Sequence, residues 1–283
     1  MSPTPAGDRF AGKVALITGA ARGQGRSHAL RLAAEGADII AVDACTPIES
    51  VSYAMATPED LASTAREIED LGRRVVARQT DVRDFGGLRK AVDEGVAELG
   101  GLDVAIANAG VWASAPFTEM PDSMYHDGID IMMHGVYYTC RAAVPHIIDG
   151  GRGGSVVITS SVAGMRGFPR QVQYNMAKQA VVGLMRTLAN ELAPHAIRVN
   201  TLHPTTVNTP MVNNPVVRGA FAPGQENPTA DDVRDAFAAL NLLDVPWIEP
   251  EDMASTVAWL TSDEGRYVTG TCLPVDAGFM EKF

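Results

Sequence analysis

Residues 13–25 read KVALITGAARGQG, and this stretch decides the fold. Its first half, Lys13–Thr18, is a short apolar run typical of a buried strand, and the glycines that follow open a helical pattern. Glycine permits a tight turn and a close approach of the backbone, and a helix N-terminus offers free N–H groups to an anion. The stretch therefore predicts a phosphate-binding strand–turn–helix unit.

Apolar runs alternate with helical patterns along the rest of the chain. Further strands are predicted at Asp38–Val42, Arg74–Gln79, Leu102–Ala107, Ser155–Thr159, Ile197–Leu202 and Cys272–Val275. Helices are predicted at Gly25–Glu35, Pro58–Leu71, Phe85–Leu99, Asp122–Ile148, Gln171–Leu192 and Pro250–Thr261, with Pro145 bending the fourth. This alternation predicts βαβ units in a doubly wound α/β fold with a seven-stranded parallel sheet. We expect a single domain over residues 1–283.

The segment from about 205 to 246 breaks this alternation. Prolines interrupt short helical pieces in it, and it carries the apolar residues Met211, Val216, Val217, Phe221 and Phe237. A long connection inside a compact domain is often a functional lid. We therefore predict a lid-like insertion before the last helix and strand, with a disordered surface loop as the alternative.

The charge balance narrows the classes of partner. The chain has 34 acidic and 23 basic side chains and a net charge of −11. Such a chain is not expected to bind nucleic acid, because few cations are available to displace phosphate counterions, or to bind an anionic membrane surface. No apolar run approaches the ~18 residues that would span a bilayer.

The cysteines and the N-terminus favour a cytoplasmic protein. Cys45, Cys140 and Cys272 are widely spaced, odd in number and without metal-ligand spacing, so we expect reduced thiols and no metal site. The first residues lack the charged and apolar regions of a signal peptide.

The glycine-rich turn and the end of the second strand predict a dinucleotide site. Its expected phosphate-binding residues are Gly19, Arg22, Gly23, Gln24 and Gly25. Asp43 ends the second strand, where a carboxylate can accept both ribose hydroxyls of NAD and repel the 2′-phosphate of NADP. Arg22 could instead pair with that phosphate, but the nearby Asp43 should outweigh it, so NAD is favoured over NADP.

Polar residues also end the third and fourth predicted strands. Asp81 and Val82 follow the third, and Asn108, Ala109 and Gly110 follow the fourth. Ligands of open α/β sheets bind outside the carboxyl ends of the strands. Asp81 could therefore accept from an adenine amino group, and Asn108 and Gly110 could line the adenosine ribose.

A second motif carries the candidate chemistry. Tyr174 and Lys178 stand four apart in a predicted helix, so the phenol and the ammonium can share a face, and Ser161 lies upstream after a predicted strand. A cation beside a tyrosine favours the phenolate and lowers its pKa. The pattern predicts a base that takes a proton from an alcohol near neutral pH.

These motifs together resemble the short-chain dehydrogenase/reductase family. The matching segments are Thr18–Gly25, Asn108–Gly110, Ser161, Tyr174–Lys178 and Pro204–Thr209, in family order. A narrower resemblance, to the carveol-dehydrogenase-like and mycofactocin-associated branch, rests on the insertion at 44–56 and on residues 57–61, 78–83, 203–211 and 273–278.

The resemblance implies a Rossmann-type fold, NAD held tightly, a homotetramer and reoxidation linked to mycofactocin. It implies that Tyr174 is the acid/base, that Lys178 lowers its pKa and holds the nicotinamide ribose, and that Ser161 hydrogen-bonds the substrate oxygen. Val207 and Thr209 resemble the family's contacts to the nicotinamide carboxamide.

One position departs from the family pattern. The family commonly has Asn where this chain has Met132, and a thioether is only a weak hydrogen-bond acceptor. His134 is a candidate replacement proton carrier. However, two residues along a helix correspond to about 200°, so we expect His134 to face elsewhere.

The implied reaction is the interconversion of a secondary alcohol and its ketone. Apolar residues near the motifs predict a pocket for a terpenoid, alicyclic or sterol-like substrate: Trp112, Met165, Phe168, Met211 and Trp247. The alternatives are a general ketoreductase with exchangeable NAD(P)H and a non-catalytic NAD-binding sensor, for which Met132 is the sequence support.

Overall fold

The computed structural model of the protein describes residues 7–282. Seven strands form one sheet in the order β3-β2-β1-β4-β5-β6-β7, and every neighbouring pair is parallel. The strands are β1 (Val14–Thr18), β2 (Asp38–Asp43), β3 (Val75–Gln79), β4 (Val104–Ala107), β5 (Gly154–Thr159), β6 (Ile197–Pro204) and β7 (Cys272–Val275). The predicted doubly wound, seven-stranded parallel sheet is confirmed.

Helices cover both faces of the sheet because the strands are apolar on both sides. They are α1 (Gly23–Ala34), α2 (Pro58–Asp70), α3 (Phe85–Leu99), α4 (Asp122–Ile129), α5 (Gly135–Gly150), α6 (Val172–Leu192), α7 (Pro215–Phe221), α8 (Arg234–Ala238) and α9 (Pro250–Thr261). Apolar side chains of α3, α5 and α6 share one buried cluster, and those of α1, α2 and α9 share a second. Leu16 and Ile17 of β1 belong to different clusters, since successive strand residues face opposite sides.

The predicted helix Asp122–Ile148 is divided in the structure. A wider π-helical turn spans Asp130–His134 between α4 and α5, and α5 continues through Pro145 to Gly150. Two glycines flank this turn, and each packs closely against a side chain of a neighbouring segment. A Cβ on Gly128 would lie 2.5 Å from Gln173, and one on Gly135 would lie 2.6 Å from Val82. Hydrophobic periodicity could not reveal the π-helical turn, because the turn lies within an otherwise continuous helical pattern.

The strand order reverses between β1 and β4, whose carboxyl ends therefore open a crevice at that edge of the sheet. The segment 205–246 runs over this crevice and contains α7 and α8, so it is partly helical. Its buried residues Val217, Val233 and Phe237 form a third, small apolar cluster. None of the helices within residues 7–282 combines the length and the apolar character needed to cross a membrane.

Candidate active site

A cavity of about 330 Å³ lies at the carboxyl ends of the strands. All predicted catalytic and cofactor-binding residues line it: Gly19, Arg22, Gly23, Gln24, Gly25, Asp43, Asp81, Val82, Asn108, Ala109, Gly110, Ser161, Tyr174, Lys178, Val207 and Thr209. The fold thus brings together residues that are far apart in the chain, because parallel strands end at the same edge of the sheet.

The glycine-rich turn is packed too closely for larger residues. A Cβ on Gly25 would lie 1.9 Å from the carbonyl oxygen of Gly19, and Gly19 itself has a positive φ of 70°. Within the described residues, no side chain caps the N-terminus of α1, and Gly23 and Gln24 of its first turn line the cavity. This cradle fits a pyrophosphate, which needs close backbone approach and unpaired N–H donors.

Asn108 joins three strand ends below the cavity. Its side-chain amide donates to the carbonyl of Thr18 at 3.1 Å, and its side-chain oxygen accepts from the Thr159 hydroxyl at 3.2 Å. The Asn108 backbone N–H donates to the Thr18 hydroxyl at 3.1 Å. The ends of β1, β4 and β5 are therefore fixed relative to one another, which positions Ser161 just beyond β5.

Asp43 is oriented by backbone donors on either side of it. One carboxylate oxygen accepts from Ala21 N–H and the other from Cys45 N–H, both at 3.0 Å. The carboxylate of Asp81 is held by Arg83, whose backbone N–H and guanidinium both donate to it. Burial raises the pKa of Asp81, but hydrogen bonds from the side chain and backbone of Arg83 outweigh it and lower the pKa overall. Both acids therefore line the cavity in fixed orientations.

The insertion at 44–56 contributes a cavity wall that the sequence did not predict. Ile48, Tyr53, Met55 and Ala56 line the cavity, and the Tyr53 hydroxyl accepts from the backbone N–H of Trp112 at 3.1 Å. The Arg22 guanidinium lies 6.0 Å from the centre of the Tyr53 ring. No local motif marks these contacts, because they depend on a loop folding back onto the end of β4.

Tyr174 and Lys178 lie on the buried face of α6, beside Ser161. The ammonium of Lys178 donates to the Thr159 carbonyl at 2.7 Å and lies 5.6 Å from the centre of the Tyr174 ring. The Ser161 hydroxyl oxygen accepts from Ala163 N–H at 3.1 Å. The phenol, the hydroxyl and the cation therefore converge on one part of the cavity.

The electrostatics differ from the expectation that Lys178 would lower the pKa of Tyr174. Burial raises the pKa of the Tyr174 phenol, and the Ser161 side chain opposes this without cancelling it. Burial also lowers the pKa of Lys178 to about 8, which weakens its action as a permanent cation. Desolvation penalises both charged forms, so these residues alone favour the protonated phenol at neutral pH.

Met132 and His134 occupy different faces of the π-helical turn. Met132 lines the cavity and is buried, with its side chain near Gly110. His134 is exposed, and its Nδ1 lies 2.9 Å from a carboxylate oxygen of Asp130. His134 therefore points away from Tyr174 and Lys178, as the helical rotation predicts, and it does not replace the missing amide.

Another part of the cavity is apolar and is lined largely by the 205–246 segment. Of the predicted pocket residues, Trp112 and Met211 line it. They are joined by further apolar residues of that segment, which are Val212, Val217, Phe221 and Phe237. Phe221 and Phe237 stack with ring centres 4.1 Å apart.

Three predicted pocket residues lie outside the cavity lining. Met165 is largely exposed, and Phe168 packs against Phe279 with ring centres 5.8 Å apart. Trp247 packs edge-on against Phe237 from behind, and its indole N–H donates to Glu249. Nearness to a motif in sequence suggested these residues, but the turn after Ser161 carries Met165 and Phe168 away from the cavity.

A glycine-rich cradle, an oriented carboxylate and a Ser–Tyr–Lys group share one cavity, and this combination is typical of a dinucleotide-dependent oxidoreductase. Comparison with known proteins places it more narrowly. Residues 13–216 match the family model described as short chain dehydrogenase. The chain is 50% identical to a (−)-trans-carveol dehydrogenase of Rhodococcus erythropolis, over 95% of this chain and 98% of that one.

Solved structures agree with this placement. Carveol dehydrogenase from Mycobacterium avium, in complex with NAD, has a TM-score of 0.96 and 53% identity over 97% of this chain and 100% of that chain. A short chain dehydrogenase from Mycobacterium paratuberculosis, bound to NAD, has a TM-score of 0.89 and 47% identity over the same shares. The chain belongs to the short-chain dehydrogenase/reductase family, and it is a dehydrogenase acting on alcohols.

Proposed function

We propose that this protein interconverts a hydrophobic secondary alcohol, of the terpenoid or alicyclic kind, and its ketone, with NAD as the hydride carrier. One observation carries the proposal: Ser161 and Tyr174 line the same cavity as a glycine-rich cradle and an apolar chamber that includes Phe221 and Phe237. A substrate in the chamber would therefore present its oxygen to the phenol while its carbon faces the cofactor end. The two carveol dehydrogenases that resemble this chain support the substrate class.

The protein's own groups act on the substrate oxygen. Tyr174 takes the hydroxyl proton during oxidation and returns it during reduction, and Ser161 donates a hydrogen bond to the oxygen as charge develops on it. Because burial raises the pKa of Tyr174, further positive charge is needed beside the phenol. Bound NAD would supply both the hydride acceptor and that charge, from its oxidised nicotinamide ring.

NAD is favoured over NADP by the ribose-side residues. Asp43 lines the cavity with its carboxylate held by two backbone N–H groups, where a 2′-phosphate would meet a negative charge. The cavity also fits the rest of the dinucleotide, and Lys178, Val207 and Thr209 line the part where the nicotinamide ribose and carboxamide would lie. The NAD complexes of two similar proteins support the same choice.

Four finer proposals accompany this function. We propose that NAD is held tightly, since the insertion at 44–56 and the 205–246 segment both cover the cavity. Reoxidation linked to mycofactocin, a homotetramer and a cytoplasmic location follow from the branch resemblance. The tetramer is further supported by the exposed apolar residues Leu242 and Leu243, whose N–H groups donate to the carbonyl of Ala277, just after the edge strand β7.

The test is a single-turnover experiment on the purified protein loaded with NAD. It would be mixed with carveol and other alicyclic alcohols, and with matched alcohols that carry a carboxylate, while the nicotinamide absorbance is followed. We expect reduction of bound NAD by the uncharged alicyclic alcohols, since the chamber is apolar. Reduction only by the charged alcohols, or by none, would contradict the proposal.

Cofactor exchange distinguishes the proposed enzyme, which holds NAD tightly, from a general ketoreductase with exchangeable NAD(P)H. After one turnover, external NAD would be added in excess and further turnovers counted. Continued turnover with free NAD would favour an exchangeable cofactor, whereas a halt after one turnover supports tight binding and an external electron acceptor.

A further inference from the structure

A buried histidine lies directly behind the substrate-facing serine, outside the cavity. His203 is fully buried near the end of β6, and its Nδ1 lies 2.7 Å from the backbone carbonyl oxygen of Ser161. Its Nε2 lies 2.8 Å from the hydroxyl of Thr201. The imidazole therefore bridges β6 to Ser161, two residues beyond the end of β5.

These contacts define one tautomer. A carbonyl oxygen only accepts, so Nδ1 of His203 must carry the proton that it donates to Ser161. Burial lowers the pKa of His203, and the charge of Lys178 lowers it further, while the hydrogen bond to the Ser161 carbonyl raises it. The ring is thus neutral, and Nε2 accepts from the Thr201 hydroxyl, so both ring nitrogens are satisfied.

The Ser161 carbonyl receives two donors that together fix its peptide plane. Gly164 N–H donates to the same oxygen at 2.8 Å, and Ser161 itself has an extended backbone with φ of −172°. The imidazole has little room to move. A Cβ on Gly164 would lie 3.1 Å from Cε1 of His203 and 2.3 Å from the Ser160 hydroxyl oxygen. The orientation of this peptide sets the direction in which the Ser161 side chain leaves the backbone.

We propose that His203 is a positioning residue for the dehydrogenase reaction: its Nδ1–H holds the Ser161 peptide so that the serine hydroxyl meets the substrate oxygen beside Tyr174. This inference rests on the proposed function, because the reaction that His203 would support is the proposed oxidation of an alcohol. A positioning role for His203 predicts a different result from simple core packing when the imidazole is removed. Without the imidazole, the Ser161 carbonyl keeps its Gly164 donor, so the fold is retained while the hydroxyl loses its fixed direction.

The main test compares side chains that place a donor at different points. In His203→Asn the amide nitrogen reaches the position of Nδ1, whereas in His203→Gln it reaches that of Nε2. We expect His203→Gln and His203→Leu to lower kcat about 10- to 100-fold, with KM and NAD affinity nearly unchanged, because small misplacements near the reacting atoms have effects of this size. His203→Asn should retain most of the wild-type kcat.

A matched control removes a different buried imidazole. His28 in α1 is fully buried and does not line the cavity. His28→Leu should leave kcat unchanged, which separates loss of a positioned donor from general loss of a buried histidine. The asparagine–glutamine comparison remains decisive even if His203→Leu does not fold, since both amides are polar.

A second readout does not depend on finding the alcohol. The Ser161 side chain lowers the pKa of Tyr174, and the other titratable side chains facing the phenol are Lys178 and Tyr53. The Tyr174 phenolate would be titrated by absorbance in the NAD-loaded protein, as the difference from Tyr174→Phe. We expect its midpoint to rise in the His203→Gln protein and to stay in place in the His203→Asn protein.

The possible outcomes separate this inference from the proposed function. If no alcohol reduces NAD but the titration midpoint shifts as expected, the substrate class is wrong and the role of His203 stands. The inference is overturned if His203→Gln has wild-type kcat and an unshifted midpoint, if the asparagine and glutamine variants are equally impaired, or if NAD affinity falls in step with kcat.

Discussion

The two ends of the cavity are built in different ways. At the cofactor and catalytic end, side chains are held by hydrogen bonds to the backbone of several strands, as Asn108 and Lys178 are. At the apolar end, the 205–246 segment rests on a small cluster of apolar side chains that includes Val217 and Phe237. A reacting geometry needs rigid support, whereas a hydrophobic chamber needs only shape and apolar surface, so the segment can vary without disturbing the chemistry.

The largest expected effect of any single change falls at the rigid end. Tyr174→Phe removes the acid/base hydroxyl but keeps the ring, so we expect kcat to fall about 10²–10⁴-fold while NAD affinity stays close to wild type. Stopped-flow absorbance and isothermal titration calorimetry would measure the two quantities. Full retention of turnover would exclude Tyr174 as the proton-transfer group.

A matched pair of glycine substitutions compares the two ends directly. Gly25→Ala places a methyl group 1.9 Å from the Gly19 carbonyl oxygen, so the loop must shift and NAD affinity should fall by up to about 100-fold. In Gly219→Ala the added methyl would meet no atom within 4 Å beyond its chain neighbours and the backbone of α7, so NAD affinity should stay unchanged. Equal effects of the two changes on the NAD dissociation constant would contradict the proposed difference between the rigid cofactor end and the 205–246 segment.

A third change tests whether the apolar end selects the substrate. Phe237 lines the chamber and stacks on Phe221. Phe237→Ala therefore removes part of the chamber wall and the stacking contact with Phe221. We expect KM for an alicyclic alcohol to rise about 10-fold, with NAD affinity unchanged, since a pair of this kind is worth about 0.5–1.5 kcal/mol. Steady-state kinetics with alcohols of increasing size would check it. An unchanged KM for all of them would place the substrate elsewhere.

The smallest expected effect concerns the stability of the catalytic end. Burial lowers the pKa of Lys178 from 10.5 to about 8, so between these pH values the unfolded state binds more protons and the free energy of unfolding rises with pH. Below about pH 8 the lysine is charged in both states and the burial penalty is fully present. That penalty is about 3 kcal/mol, partly offset by the Lys178 hydrogen bond to Thr159, which contributes about 1–3 kcal/mol.

Lys178→Met in cofactor-free protein should therefore be about 1 kcal/mol more stable than wild type at neutral pH. The difference should fall and change sign as the pH rises from about 8 toward 10.5, because wild type regains about 3 kcal/mol over this range. Urea unfolding at a series of pH values would measure it. A stability difference that does not change with pH would show that Lys178 keeps its ordinary pKa in the fold.

Sequence reasoning and structure agree best where chemistry follows a strand. The glycine-rich turn, Asp43 and Asn108 could be predicted because strand ends of a parallel sheet share one edge. The Tyr174–Lys178 pair could be predicted because residues four apart share a helix face. The exclusion of His134 also followed from helical rotation alone. Agreement is poorer for the substrate chamber. Phe168 was expected there but packs on Phe279 instead.

The amino-acid sequence by itself determined the doubly wound parallel sheet, the family and the residues that meet at its edge. Periodicity, glycine placement and short motifs act over neighbouring residues, and the topology then carries them to one place. Only the tertiary structure decided which way the loops fold back. The features that depend on the tertiary structure are the cavity wall at Tyr53, the π-helical turn at Met132, the raised pKa of Tyr174 and the hydrogen bond from His203 to Ser161. Each depends on burial and on contacts between distant segments, which no local pattern encodes.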